Sequence, residues 1–296
     1  MAARTALRPF ASARYNTWGM DTSERPEPAE TLRLLERNLT AVREAIRAAG
    51  ARAGRPPGST ELLPVVKSVG AGTVALLHRL GVRDAAEGTV QGAIEKAEAL
   101  AGLDIRWHLV GHLQRNKARK AAGLFAGIQS LDSLRLAAKL DEEIALLETC
   151  AVSAGGSGPG APGPRLASLF VEVHNGVDAT KAGIPQEEVA TFLRDARGLP
   201  RVAARIAGLM VMAPYAEDPE AARPTFRRVR TLRDRLVAER LLPEGAGLSM
   251  GMSGDFPVAV EEGATVVRVG TRLFEGLPEP AEPKLPEGPG GGGPCR

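Results

Sequence analysis

Short apolar runs alternate with amphipathic stretches eight times between Leu62 and Phe274, and that alternation restricts the fold more than any other feature. The runs fall at 62–66, 83–87, 105–110, 125–130, 169–174, 206–212, 248–252 and 265–269. They are short for helices, several are β-branched, and they read as buried strands. Between them, helical spacing covers 73–80, 90–100, a short basic stretch from Asn116, 133–147, 186–196, 219–240 and 257–262. A leading helix precedes the series: Leu32, Leu35, Leu39, Val42 and Ile46 share one face, and Gly50 supplies a stop.

Strands alternating with helices pair in parallel through right-handed crossovers. Eight units in about 220 residues match a single closed (β/α)8 TIM barrel, whose usual size is about 250 residues. A doubly wound open sheet is the alternative. The barrel is expected over 28–277, with a Gly/Pro-rich loop at 153–164 and a disordered tail at 278–296. No second foldable domain is expected after the barrel. Residues 1–27 read as a disordered leader. Their Arg4, Arg8 and Arg14 without an acidic neighbour also resemble a transit peptide, and Met20 is an alternative start.

Composition narrows the function classes. Of the 296 residues 44% are hydrophobic and 25% charged, which is ordinary for a globular protein, and no run of about 18 apolar residues predicts a membrane span. The net charge of +3 and the lack of aromatics among Arg115, Lys117, Arg119 and Lys120 argue against nucleic acid. Two cysteines make no disulfide framework, so a cytoplasmic setting is the expectation. His108 and His112 lie on a strand and its loop, not one helix face, and no third ligand joins them, so no metal is expected.

In such barrels chemistry sits at the carboxyl ends of the strands. Those ends carry Lys67, Glu87, His108 with His112, Ser130 with Asp132, His174, 210–214, Ser253 and 268–271. Lys67 follows Pro64-Val65-Val66, and an amine beside apolar neighbours loses hydration, so its neutral form can attack an aldehyde. Taken alone it reads first as a strand-end lysine reaching to water. The stretch Ser249-Met250-Gly251-Met252-Ser253-Gly254-Asp255 runs into a helix start, where amides, the Ser253 hydroxyl and the helix dipole suit an anion. Arg268-Val269-Gly270-Thr271 adds a second small turn, and a phosphate site between the last two strand loops recurs in barrels.

These residues resemble the pyridoxal-phosphate homeostasis protein family, kin to the barrel domain of alanine racemase. The resemblance runs from about Leu32 to Gly276. It is carried by Val66-Lys67-Ser68, Trp107-His108, Gly111-His112-Leu113-Gln114-Arg115-Asn116-Lys117, Ser130-Leu131-Asp132-Ser133, Lys181-Ala182-Gly183, Gly208-Leu209-Met210, the serine–methionine–glycine motif from Ser249, and Arg268-Val269-Gly270-Thr271.

The resemblance implies pyridoxal 5′-phosphate held as a Schiff base on Lys67, its phosphate on Ser253, Gly270 and Thr271, with Arg268 toward the pyridine nitrogen. Met250 and His108 join the expected cofactor-binding set, and no residue is expected to be catalytic. The implied role is intracellular cofactor carriage or buffering by a monomer, with apo-enzymes as partners. An amino-acid racemase is the alternative, and a Schiff-base aldolase a third reading. Two departures stand out: the family asparagine after the second strand is Gly88, and its valine–asparagine after the fifth is Val173-His174.

Overall fold

The computed structural model describes residues 28–153, 163–176 and 182–277. The leader, the tail, most of the 153–164 loop and Lys181 lie outside the described residues.

Helix α1 (Pro28–Arg52) runs two residues past Gly50 and lays Leu35, Leu39, Val42 and Ile46 into the core. The strands are β1 (Glu61–Pro64), β2 (Asp84–Glu87), β3 (Arg106–Leu109), β4 (Phe125–Leu131), β5 (Ser168–Glu172), β6 (Ile206–Met210), β7 (Gly247–Ser249) and β8 (Val266–Val269). Between and around them lie α2 (Ala71–Arg79), α3 (Val90–Ala99), α4 (Ala118–Leu124), α5 (Leu134–Ser153), α6 (Val189–Ala196), α7 (Pro200–Ala203), α8 (Arg223–Ala238) and α9 (Phe256–Glu261).

All strand pairs are parallel, in the order β1-β8-β7-β6-β5-β4-β3-β2. The ring then closes, because Val66 N–H donates to the Ala86 carbonyl at 2.8 Å beside a Val65–Ala86 bridge. The open-sheet alternative is thereby excluded. Alternate strand residues face the bore or the helix layer. Trp107, Leu109, Leu248, Val267 and Val269 face outward and are buried under the helices.

Local chemistry sets the element ends. Thr89 caps α3 by accepting from Gly92 N–H at 3.1 Å. Strand β7 stops at Ser249, earlier than the apolar pattern predicts, because Gly251 turns to φ +91 where a Cβ would lie 2.5 Å from that of Ala259. Helix α5 continues to Ser153, six residues beyond the expected 147, and the short α7 opens on Pro200, which the sequence reading passed over. Among the described residues no helix is long and apolar enough to cross a membrane.

Candidate functional site

The carboxyl mouth is built around the β1–β8 seam. Pro64 pairs with Val269, and Val65 N–H donates to the Val269 carbonyl at 2.9 Å. Two residues later Lys67 leaves the strand with its side chain exposed. The exposed side chain fits the strand-end lysine reaching to solvent, not one packed among apolar neighbours. The turn at Gly270 presses on the same seam, where an added Cβ would stand 3.0 Å from the Val65 carbonyl oxygen. Lysine and turn are therefore neighbours.

Ser253, in the loop after β7, reaches this turn. Its hydroxyl oxygen accepts from Gly270 N–H and from Arg272 N–H, each at 3.3 Å. The proton on that hydroxyl remains free to donate, and the exposed Thr271 stands between the two amides. The cradle differs from the expected helix start. Helix α9 has six residues, and the Asp255 carboxylate at its cap accepts from Met252 N–H at 2.6 Å. An acid already occupies that end, so the Ser253–Gly270–Thr271 turn is the better candidate for an anion.

Arg268 faces the bore and is 4% exposed. Its Nη1 donates to the Ser249 carbonyl (2.8 Å) and hydroxyl (2.7 Å), and its Nη2 to the Val211 carbonyl (2.9 Å). Nε has no hydrogen-bond partner among the described residues. Burial lowers the guanidinium to about 10, against the pull of Asp255 and Glu172, so it stays charged at neutral pH. The Ser249 hydroxyl donates in turn to Gln129 Oε1 at 2.7 Å, and since β7 and β4 are not neighbours, this bond crosses the bore.

Two expected site residues lie elsewhere. Met250 is fully buried in the hydrophobic core, because the residue after inward-facing Ser249 points outward, and Met252 is the exposed methionine of that loop. His108 points to the amino-terminal mouth, where its Nε2 lies 2.8 Å from Asp84 Oδ1 at the start of β2.

Behind Lys67, the Lys96 ammonium pairs with Glu87 and donates to the Val66 carbonyl at 2.7 Å, while Glu87 accepts from Gly88 N–H at 3.0 Å. Glu87 thus faces the helix layer and fixes the first two strand ends. Gly88 lies against Lys67, and a Cβ there would meet Lys67 Cδ at 3.6 Å. Gly111 has no such room: a Cβ would fall 2.0 Å from the Gly88 carbonyl oxygen.

On the far side of the mouth His112 pairs with Asp132 at 3.2 Å, Ser130 donates to the Gly111 carbonyl at 2.7 Å, and His174 Nδ1 accepts from Gly176 N–H at 3.0 Å. The sequence reading missed Glu172, which ends β5 facing inward and is 4% exposed. Burial first, then the charge of Asp132, pushes its carboxyl up to about 7, while Arg268 and His112 oppose this. The signal was present: a lone carboxylate, on the inward parity, in the apolar run Leu169-Phe170-Val171-Glu172-Val173.

Comparison with known proteins gives the family. The family described as "Alanine racemase, N-terminal domain" matches residues 37–278. A pyridoxal phosphate homeostasis protein of Aquifex aeolicus is 37% identical over 238 residues, 80% of this chain and 95% of that protein. PipY of Synechococcus elongatus, solved with pyridoxal phosphate bound, is 36% identical with a TM-score of 0.60, covering 78% of this chain and 99% of that chain. An alanine racemase of Clostridium difficile, 16% identical with a TM-score of 0.56, shares the fold, and the match spans 57% of that chain and 84% of this one. The chain belongs to the pyridoxal phosphate homeostasis protein family.

Proposed function

We propose that this chain holds pyridoxal 5′-phosphate at its carboxyl mouth and serves as an intracellular carrier or buffer of that cofactor. The supporting observation is one seam that presents three complementary groups. These are the Lys67 amine, the turn in which Ser253 gathers the Gly270 and Arg272 amides, and buried Arg268 with Nε unengaged. A primary amine suits the aldehyde, a hydroxyl with backbone amides suits a phosphate, and a buried cation suits the ring nitrogen. The bound cofactor would supply an electrophilic aldehyde and a conjugated ring. Lys67 binds the aldehyde carbon, Ser253 and Thr271 hold the phosphate, and Arg268 orients the ring.

Residues 28–277 act as one cofactor-binding unit, a reading supported by the packing of α1 on α9. Its working form is a monomer in the cytoplasm, and apo-enzymes that use the cofactor are the recipients. Borohydride reduction of loaded protein should fix a pyridoxyl group on Lys67, and Lys67→Ala should lose the visible absorbance band. Label on another lysine overturns the assignment. Robust amino-acid racemisation, well above free cofactor and lost in Lys67→Ala, would favour the racemase instead.

A further inference from the structure

The amino-terminal mouth of the barrel, opposite the cofactor seam, contains a cavity of about 1020 Å3. Helix α1 and the loop after it wall one side, and residues from all eight strands or the loops just before them form the rest. Barrel interiors of this type are ordinarily filled by stacked side chains. Here Gly247 and Gly127 contribute none. A Cβ at Gly247 would lie 3.3 Å from the Phe170 ring, and one at Gly127 would lie 2.6 Å from His108 Nδ1. The bore therefore ends on an aromatic ring and an imidazole instead of branched aliphatics.

Three polar groups at this end lack partners. Gln129 is 2% exposed and lines the cavity. Its Oε1 accepts from Ser249, while its amide NH2 has no hydrogen bond among the described residues. Asp84 draws the Nε2 side of His108, which leaves Nδ1 unengaged, and the Ser168 hydroxyl has no partner among the described residues. Polar groups that face a cavity without a protein partner are free to bond a ligand, which gives this mouth the character of a ligand site.

Charge decides the kind of ligand. Four arginines line the cavity against two carboxylates, Glu61 and Asp84. Arg106 is held by Asp84, and Arg55 by Thr60 and the Val260 carbonyl. Arg43 and Arg47 on α1 are left at the rim, and among the described residues their only ion pair is a 3.9 Å contact of Arg47 with exposed Glu44. The rim thus offers uncommitted cationic donors above an apolar floor of Phe170 and Ala207.

We propose that this mouth is a second small-molecule site, separate from the cofactor seam, for a monocarboxylate with a flat apolar body. The body lies against Phe170 within reach of Gln129 and Ser168, and the carboxylate meets Arg43 and Arg47. Nuclear magnetic resonance titration of the full chain, loaded with pyridoxal phosphate, tests this with 3-phenylpropionate as probe. Saturable shifts are expected at the amides of Gln129, Phe170 and Gly247, with none at Ser253 or Gly270.

The alcohol 3-phenylpropan-1-ol, which lacks the charge, should bind about tenfold more weakly, as expected for losing a charge-assisted hydrogen bond. The Arg43→Ser/Arg47→Ser variant should weaken the acid by a similar factor while melting like the parent, and Ala207→Leu should block it. The same titration of Lys67→Ala should give unchanged affinity, which keeps this site distinguishable from the seam. Absence of saturable binding, shifts confined to the seam, or equal affinity for acid and alcohol overturns the proposal.

Discussion

Lys96→Met tests what holds the Lys67 amine in place. The Lys96 and Glu87 side chains are 14% and 4% exposed, so water screens their pairing little. Methionine keeps most of the aliphatic volume and removes the ammonium. The Val66 carbonyl then loses its 2.7 Å donor, and Glu87 keeps only Gly88 N–H. Breaking a buried pair from one side costs about 3–5 kcal/mol, because the remaining charge is left uncompensated. The Val66 bond adds about 1 kcal/mol. Local rearrangement and entry of water return part of this, so the net loss should be about 4 kcal/mol. For a domain of this size each kcal/mol lowers Tm by about 2–4 °C, which gives a drop of about 10 °C.

Urea unfolding followed by the fluorescence of buried Trp107 measures the stability, and mass spectrometry after borohydride treatment measures the fraction of Lys67 that carries cofactor. The Lys96→Met/Glu87→Leu double variant should recover at least half of the stability, since no orphan charge remains. Cofactor affinity should stay low in both, because neither holds the Val66–Lys67 peptide. A loss under about 0.5 kcal/mol, typical of a surface change, would refute the energetic argument. Parental labelling of Lys67 in a clearly destabilised variant would refute the positioning role.

Ser253→Ala or Thr271→Ala should weaken pyridoxal phosphate by about tenfold or more, a loss of about 1.5–3 kcal/mol, yet leave unphosphorylated pyridoxal nearly unchanged in fluorescence titration. Equal losses for both ligands would place these hydroxyls away from the phosphate. Glu172 is raised from 4.5 to about 7, so between those values the native state holds a proton that the unfolded chain has released. Stability should therefore fall as pH rises through that window, and Glu172→Gln should remove the slope and be about 3 kcal/mol more stable at pH 8; parallel pH curves would refute it. Gly88→Asn places a side chain in ordinary contact with Lys67 Cδ, so it should fold normally and tighten the cofactor several-fold. Unchanged affinity in a folded variant would mean that this side of the pocket does not touch the ring.

The barrel was legible because strand and helix periods alternate cleanly, and Lys67, Ser253, Gly270 and Arg268 were legible because each stands at a strand end or in the loop after it. Parity along the strand was the harder part. Ser249 and Arg268 take the inward positions of β7 and β8, so Met250 is turned to the helix layer however close to the motif it stands. The same alternation puts Glu87 outward against Lys96 and Glu172 inward beside Arg268. Counting by two from either strand would have found Glu172. Height along the bore was not legible. His108 faces inward but meets Asp84 at the start of β2, and only the register and packing of neighbouring strands fix which mouth such a residue serves.

Arg268 carries both the architecture and the chemistry of the mouth. Its Nη atoms tie the carbonyls of Val211 and Ser249 and, through the Ser249 hydroxyl, reach Gln129 across the bore. A lysine has one nitrogen on a flexible stem and no planar fork, so it cannot hold those three acceptors and still offer an aimed N–H. With its pKa lowered to about 10 the guanidinium is charged at neutral pH, so Nε would present a donor to the ring nitrogen of the proposed cofactor, and a cation there would disfavour protonating it. An unprotonated ring is a weak electron sink, so the bonds that tie the strand ends at this mouth would also bias the proposed cofactor toward being held and handed on.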